Sequence, residues 1–194
     1  EMLRGFRRGD DLTPVVLMGY FNPIMSYGVA KFCADAAAAG ADGLIIVDLP
    51  SEEAGLVVPD AAANGLDIIR LVAPTTDDAR LPLVLAGSSG FVYYVSITGI
   101  TGTRTASADE LAEAIPRIRR VTDLPIAIGF GVRSAAQAAA AVIAADGAVV
   151  ASALIDTLAA SLDDQGRATA GTVAQVLAQV RALAEGVRGA RIAA

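Results

Sequence analysis

GLIIVDLP, residues 43–50, is an apolar run without polar alternation that ends in an acidic residue and a proline. A strand with one face in water alternates apolar and polar residues, whereas a strand covered on both faces is continuously apolar. Five similar runs recur at intervals of roughly two to three dozen residues: PVVLMGY (14–20), DIIRLVAP (67–74), GFVYYVSI (90–97), PIAIGFGV (125–132) and GAVVASAL (147–154). The sequence therefore predicts six buried strands.

The segments between these runs have helical patterns. One such segment, residues 26–40, has apolar residues at helical spacing and ends at Gly40, a natural C-terminal stop. Capping boxes predict the starts of two further helices, at Ser107 with Glu110 and at Ser134 with Gln137. A last apolar stripe predicts a final helix over residues 173–183.

Strands that alternate with helices form parallel βαβ units, which gives either a (β/α) barrel or a doubly wound sheet. The barrel is favoured because DLTP and TDLP echo each other before two strands, and because the Gly-rich fingerprint of doubly wound dinucleotide-binding folds is missing. Six units are two fewer than the eight of a closed barrel, and residues 1–9 resemble the end of a helix. We therefore expect residues 1–194 to form a single, partial (β/α)8 barrel domain with strands 3 to 8 of the barrel.

The charge pattern argues against a nucleic-acid surface. The formal net charge is −6, and the basic residues are scattered, whereas nucleic-acid binding needs clustered Lys and Arg. The chain has no histidine, which excludes Ser/His/Asp triads, Cys/His dyads and His-rich metal sites.

Two further features bear on the compartment. Cys33 is the only cysteine, so no internal disulfide forms, and its place on a helical apolar face predicts a buried, inert thiol. The apolar stretch 135–155 is interrupted by Asp146-Gly147, which predicts a helix followed by a buried strand and not a membrane span. We expect a cytoplasmic protein that does not bind membranes.

Barrel sites lie at the C-terminal ends of the strands, and phosphate is commonly held by the loops after the last two strands. Gly129 and Gly131 follow the fifth strand here, and Ser152 lies near the start of the helix after the sixth. Glycines that let backbone amides approach closely, and amides at the start of a helix, favour an anion site. The alternative is that the glycines only serve tight barrel turns.

Other strand ends carry aromatic and acidic residues. Tyr20, Tyr93 and Phe130 could line an apolar pocket for a flat ligand, although each of them taken alone is more typical of a core residue. Asp48 is a candidate acid or base, and the alternative is a residue that braces a loop or caps a helix.

Taken together, PVVLMGYFNPIMSYG, GLIIVDLPSEE, LVAPTTDDARL, GFVYYVSITGITGTR and PIAIGFGV, in this order and at these spacings, closely resemble the tryptophan synthase alpha subunit family. The resemblance implies a (β/α)8 barrel and a lyase of tryptophan biosynthesis. It implies the retro-aldol cleavage of indole-3-glycerol phosphate to indole and glyceraldehyde 3-phosphate, without a cofactor or a metal. It also implies a heterotetramer with the beta subunit, to which indole passes.

The resemblance assigns roles by motif. Thr101 and Gly102 match a mobile loop that closes on the substrate, with Thr101 supporting the catalytic base, so residues 97–107 are expected to form a lid. Asn22 and Pro50 match loops that face the beta subunit. The positions around the indole are Tyr20, Val47, Leu71, Tyr93 and Phe130, and those around the phosphate are Gly102, Gly129, Gly131 and Ser152.

The chain departs from the family pattern in two places. Ala151 replaces a glycine before Ser152, which we expect to crowd the phosphate slightly. The segment that carries the family's catalytic glutamate and aspartate has no counterpart in these 194 residues. We therefore expect the polypeptide to be inactive by itself.

Two other classes of function remain open at this point. One is another phosphate-binding barrel enzyme: the absence of histidine disfavours a ribulose-phosphate epimerase, and the absence of an acidic cluster disfavours a thiamine phosphate synthase. The other is a non-catalytic module that holds a phosphate or docks on the beta subunit.

Overall fold

The computed structural model describes residues 1–96, 107–129 and 131–193. The chain forms two compact units. The first comprises Glu1–Val72, Thr76–Tyr93 and Val121–Leu124, and the second comprises Ala73–Thr75, Tyr94–Arg120 and Pro125–Ala194. A single domain over 1–194 stays a prediction.

Strands and helices alternate along the first unit. Its elements are α1 (Met2–Arg7), β1 (Val16–Gly19), α2 (Phe21–Tyr27), α3 (Val29–Ala39), β2 (Gly43–Ile46), a 3-10 helix (Ser51–Leu56), α4 (Val58–Ala63), β3 (Asp67–Ile68), β4 (Arg70–Val72), α5 (Leu81–Leu85) and the first half of β5 (Val92–Val95). As predicted, α3 ends at Gly40, which has a φ of +98° that a residue with a Cβ rarely adopts.

The first sheet has the strand order β1-β2-β3, and all its pairings are parallel. All four residues of β2 are buried, as its continuously apolar sequence predicted. The core packed around this sheet includes Cys33, Leu44, Val57, Ala61 and Ile68. Fully burying an aliphatic side chain of the size of Leu or Ile contributes about 1.5–3 kcal/mol, so this core accounts for much of the unit's stability.

The second unit continues the alternation. Its elements after β5 are α6 (Ala108–Arg119), β6 (Ile126–Gly129), α7 (Ala135–Ala144), β7 (Gly147–Ala148), α8 (Ser152–Ala160) and α9 (Thr172–Ala193). The second sheet has the strand order β4-β5-β6-β7, and β6 pairs with β7 in parallel. Both predicted capping boxes are present at the starts of α6 and α7.

The last helix packs on α7 as predicted, but only the end of its predicted apolar stripe is buried, because Val173, Leu177 and Val180 are exposed. Leu183 of α9 is buried with Ala138 of α7 and Val132. The approach of α9 to α7 is close, because a Cβ on Gly186 would lie 2.6 Å from the carbonyl oxygen of Ala135. No helix in the described ranges is long and apolar enough to cross a membrane.

In all six predicted runs the strand is shorter than the run, and two of the runs differ most. The run 67–74 divides at Ile69 into β3 and β4, because Asp67 and Ile68 pair with β2 whereas β4 belongs to the second sheet. The run 147–154 is a strand only over Gly147–Ala148, since α8 already begins at Ser152. Periodicity does not separate a buried strand from an apolar first turn of a helix, which is why the sequence overestimated this strand.

The similar sequences DLTP and TDLP, which precede two of the strands, are accompanied by a similar tertiary contact. Ala-Asp-Gly occurs at residues 41–43 and 145–147, which we call the first and second corners. In the first corner, Asp42 donates its N–H to Val15 O (2.8 Å), and Asp42 Oδ2 accepts from Val15 N (2.6 Å). In the second corner, Asp146 N donates to Ile126 O (2.9 Å), and Asp146 Oδ2 accepts from Ile126 N (2.8 Å). Each aspartate thereby fixes where two parallel strands begin.

Candidate functional site

The C-terminal ends of β1 and β2 lie side by side in the first unit. The N–H of Val47 donates to Gly19 O at 3.0 Å, directly after the two strands end. Asp48 is exposed, and its Oδ1 accepts from the N–H of Phe21, the first residue of α2, at 2.7 Å. This hydrogen bond is the contact expected if Asp48 braces a loop or caps a helix. A role for Asp48 as acid or base stays a prediction.

A small cavity lies at these strand ends. It has a volume of about 150 Å³, and its lining includes Val47, Pro50, Leu71 and Arg70. Val47 is 41% exposed and Leu71 is half-buried. The structure therefore brings together two of the positions expected around an indole, whereas Tyr20 and Tyr93 do not line this cavity.

The two described tyrosines of the expected pocket differ in burial. Tyr93 lies in β5 and is 6% exposed, and burial raises the pKa of its hydroxyl. Tyr20 precedes α2 and is 61% exposed. Tyr93 thus stays protonated at neutral pH, and Tyr20 offers an accessible aromatic surface.

The expected anion-binding residues lie in the second unit. Gly129 ends β6, and its carbonyl oxygen accepts from Ser96 N (3.1 Å) and Ser96 Oγ (2.8 Å), which fixes the strand end. Gly131 has a φ of +82°, so the turn after this strand requires glycine. Ser152 is the half-buried first residue of α8.

The helices after these two strands have different N-termini. At α7 the Ser134 hydroxyl accepts from Gln137 N, and the Gln137 side chain accepts from Ser134 N and Arg133 N. At α8 the N-cap residue is Ala151, which has no side-chain acceptor, and the first turn carries no acidic residue. Helix N-termini attract anions through their first amides and the helix dipole, so α8 is the better anion-binding end.

Ala151 has an ordinary backbone conformation at the N-terminus of α8. Its φ is −124°, a backbone conformation open to any L residue. The expectation that its methyl group crowds a phosphate stays a prediction.

The structure gives different outcomes for the remaining residues of the predicted site. Thr101, Gly102 and Phe130 lie outside the described residues, as does nearly all of the expected lid. Asn22 was expected in a loop, but it lies in the first turn of α2 together with Pro23, where proline lacks no needed hydrogen bond. Pro50 is exposed and precedes the 3-10 helix, as expected of a loop residue. No group of three or more Cys, Asp or Glu side chains in the described ranges could hold a metal ion.

A larger cavity lies on the second unit, between α6 and α7. It has a volume of about 740 Å³, and Leu111, Ile115, Ala140 and Ile143 are among its lining residues. None of the strand-end residues borders it, so its size does not mark the site.

Sequence reasoning missed one residue at the strand ends. Arg70 lies in the predicted strand DIIRLVAP and is 5% exposed. The signal was present, because a single arginine within a run buried on both faces cannot reach water easily.

Comparisons with known proteins identify a family. The family model of the tryptophan synthase alpha chain matches residues 1–188. The tryptophan synthase alpha chain of Granulibacter bethesdensis is 70% identical over 193 residues, which make up 100% of this chain and 69% of that protein.

Solved structures extend the match to three dimensions. The crystal structure of tryptophan synthase subunit alpha from Legionella pneumophila superposes with a TM-score of 0.84 at 34% identity, covering 97% of this chain and 68% of that one. A chain of the tryptophan synthase α2β2 complex from Pyrococcus furiosus superposes with a TM-score of 0.77 at 31% identity, covering 97% and 70%.

The fold and its strand-end residues define an α/β protein of the parallel (β/α)-barrel class, which confirms the predicted fold class. The chain belongs to the tryptophan synthase alpha chain family, a family of lyases. The resemblance found in the sequence is thereby confirmed.

Proposed function

We propose that this chain binds indole-3-glycerol phosphate and contributes the binding part of the site that cleaves it to indole and glyceraldehyde 3-phosphate in tryptophan biosynthesis. The observation that carries the proposal is the N-terminus of α8, which has no side-chain cap, in a chain of this family. The proposal divides into a phosphate end, an indole end and the groups that transfer protons.

The phosphate end comprises Gly129, Gly131 and Ser152. The glycine turn lets backbone amides approach an anion closely, and the Ser152 hydroxyl adds one donor at the positive end of α8. The capped α7 contributes less, because the N–H of Gln137 already donates to the Ser134 hydroxyl and the N–H of Ser134 donates to the Gln137 side chain.

The indole end comprises Val47, Leu71, Tyr93 and Tyr20, with Phe130 as the expected fifth member. Val47 and Leu71 share a cavity lining, and Tyr93 is buried in β5. A flat apolar ligand is bound mainly by such surfaces, with few polar groups to orient it.

Proton transfer needs two groups, and Asp48 could supply only one of them. Retro-aldol cleavage requires a base for the hydroxyl proton and an acid for the departing indole carbon. Asp48 is the carboxylate at the described strand ends of the first unit, and it already accepts from Phe21 N. The hydroxyl of Thr101 is too weak an acid to serve as the acid or the base of the reaction. Its proposed role is to support the catalytic base.

The first experiment measures binding and turnover separately. The polypeptide of these 194 residues should bind indole-3-glycerol phosphate in a calorimetric titration and release no indole above background. A chimera that adds the preceding segment of the Granulibacter bethesdensis relative should release indole. Robust turnover by the 194-residue polypeptide would mean that Asp48 and a second group perform the chemistry.

The second experiment tests the phosphate end by the same titration. Ser152→Ala should weaken binding about fivefold, the effect of one hydrogen bond of about 1 kcal/mol. Gly131→Val should weaken it by at least about tenfold, because its side chain fills the space of the anion and its φ is unfavourable for valine. Gly166→Val is the matched control, since Gly166 also has a positive φ (+72°) but open space around it. Unchanged affinity in both site variants would remove phosphate binding from these loops.

We also propose that Asn22 and Pro50 contact a beta subunit, because both are exposed beside the ends of β1 and β2 and because a related structure is an α2β2 complex. Asn22→Arg should weaken co-purification with the beta subunit, and Gln175→Arg, at an exposed position of α9, should not. If the chimera bound the beta subunit and the substrate but released no indole, the non-catalytic module would be the better description. The cytoplasmic location remains a prediction from the sequence.

A further inference from the structure

An ion pair joins the loop after β6 to α8 in the second unit. The guanidinium of Arg133 pairs with the carboxylate of Asp156, and the two side chains are 44% and 61% exposed. Arg133 stands two residues after Gly131, which has a φ of +82° in the turn that follows β6. Its N–H donates to the Gln137 side chain at the start of α7 at 2.8 Å. Neither member of the pair is among the site positions named above.

An apolar cluster holds the same two segments together. Val132, the neighbour of Arg133, is 5% exposed and is buried with Ala138 and Leu183, and Leu154 in the first turn of α8 packs against this cluster. The loop after β6 and the first turn of α8 therefore lie close together, and the ion pair bridges them at the surface. These are the two segments assigned to the phosphate end.

Asp156 places a negative charge close to the anion-binding end of α8. It is the only charged residue of this helix, SALIDTLAA, and it lies four residues after Ser152, on the same face and about 6 Å further along the axis. Helical side chains lean toward the N-terminus of their helix, so the carboxylate leans back toward Ser152. Its charge opposes the attraction that the first amides and the helix dipole exert on an anion.

Arg133 supplies the opposite charge at the same place. Exposed ion pairs contribute little to stability, but their effect on a nearby anion is larger when that anion is a phosphate monoester, which carries up to two negative charges. Repulsion between a dianion and an unpaired carboxylate about 8 Å away weakens binding about fourfold in water of low ionic strength. When the carboxylate is paired with Arg133, the two charges largely cancel at the position of the phosphate.

We propose that Arg133 is a positioning residue of the phosphate end, which acts through Asp156 by neutralising the carboxylate that would otherwise repel the phosphate of the substrate. The inference rests on the proposed function, because it concerns the same anion site. It makes the phosphate end depend on a charge pair as well as on backbone amides and the Ser152 hydroxyl.

The test compares two ligands that differ only in the phosphate, indole-3-glycerol phosphate and neutral indole-3-glycerol. Both dissociation constants are measured by calorimetric titration of the full chain at pH 8 and an ionic strength of about 0.01 M, where the screening length is about 30 Å. Arg133→Met should weaken binding of the phosphate ester about fourfold and leave that of indole-3-glycerol unchanged. In about 1 M salt, where the screening length is about 3 Å, the loss should disappear.

Further variants separate the charge from a mechanical tie between the two segments. Asp156→Asn removes the repelling charge and should strengthen binding of the ester about fourfold. The double variant Arg133→Met with Asp156→Asn lacks the tie but has no unpaired charge, so its affinity should lie within about twofold of the parent chain's. Arg133→Lys keeps the charge and should keep most of the affinity.

Arg119→Met is the matched control in the same unit. Arg119 pairs with Asp146 at 2.9 Å, its side chain is 45% exposed, and Asp146 accepts from Ile126 N at the opposite end of β6. The variant leaves an unpaired aspartate far from the phosphate end, so it should change the affinity for the ester by less than about twofold. A fourfold loss in this control as well would contradict the local role of Arg133.

Three other results would overturn the proposal: no loss in Arg133→Met, an equal loss for indole-3-glycerol, or a double variant as weak as Arg133→Met. If Arg133→Met did not fold, an affinity of Asp156→Asn no higher than the parent chain's would refute it.

The same titrations distinguish this inference from the proposed function. A parent chain that bound the ester and indole-3-glycerol equally would refute the phosphate end itself, and this inference with it. A parent chain and Arg133→Met that preferred the ester equally would refute the inference alone.

Discussion

The first and second corners of the molecule share a sequence and a backbone pattern but differ in their surroundings. In each, the aspartate exchanges two hydrogen bonds with the residue after a proline and pairs with an arginine of an earlier helix, Arg7 or Arg119. The local chemistry is therefore nearly identical. Any difference in their contribution to stability must come from packing.

The arginines show the difference most clearly. The side chain of Arg7 is 16% exposed, and besides Asp42 it donates to Gly40 O and Thr13 O, each at 2.8 Å. The side chain of Arg119 is 45% exposed, and it pairs with Asp146 at 2.9 Å. Exposed ion pairs contribute about 0–1 kcal/mol, whereas hydrogen bonds to charged groups that are shielded from water contribute more. The first corner should thus be the stronger one.

Removing the arginines should give the largest contrast. Arg7→Met is expected to lower the free energy of unfolding by about 2–3 kcal/mol, because the largely buried guanidinium donates to Asp42, Gly40 O and Thr13 O. Arg119→Met should lower it by less than about 1 kcal/mol. Urea unfolding followed by circular dichroism measures both. Equal losses would show that burial of the arginine does not distinguish the corners.

Adding a methyl group to the corner glycines should give the next largest contrast. A Cβ on Gly43 would lie 2.9 Å from Ile69 Cδ1 and 3.0 Å from Asp67 O, whereas a Cβ on Gly147 would first meet Ala127 Cβ at 3.5 Å. Gly43→Ala should therefore destabilise by about 1–3 kcal/mol, and Gly147→Ala should be neutral or stabilise by up to about 1 kcal/mol. If Gly43→Ala lowered the free energy of unfolding no more than Gly147→Ala does, the two corners would not differ in packing.

The smallest expected difference between the corners is the effect of salt on the coupling energies of their ion pairs. In double-mutant cycles, Arg119 with Asp146 should show a coupling energy of about 0.5 kcal/mol that disappears in 1 M salt, where the screening length is about 3 Å. The coupling of Arg7 with Asp42 should be larger and largely retained. A coupling at the first corner that also disappeared in salt would mean that water screens Arg7 as well.

Much of the fold was predictable because it follows from local patterns. Continuous apolar runs predicted the strands, the serine capping boxes predicted the starts of α6 and α7, and Gly40 predicted the end of α3. The division of the third run at Ile69 was not predictable, because it depends on which neighbours each half of the strand pairs with.

The sequence predicted which residues belong to the candidate site, but not how deeply they are buried or which groups they contact. Tyr20 and Tyr93 were equivalent as sequence positions near strand ends, yet one is exposed and the other buried. Asp48 was a carboxylate with two possible roles, and only the structure shows that it accepts from Phe21 N. Arg70 was overlooked although its place in a continuously apolar run was a signal of its burial, and only the structure shows which of its nitrogens lack an acceptor among the described residues.

The sequence by itself determined the family, the order of strands and helices, and which residue types lie at the strand ends. These properties depend on periodicity and on motifs that are contiguous in the chain. The tertiary structure alone decided how strongly each repeated element is held, and where a charge is left without a partner. Burial and hydrogen bonding are set by groups distant in sequence, such as Arg7 at Asp42, or Leu49 at Arg70. Two identical Ala-Asp-Gly segments can therefore differ in energy, although no residue within them differs.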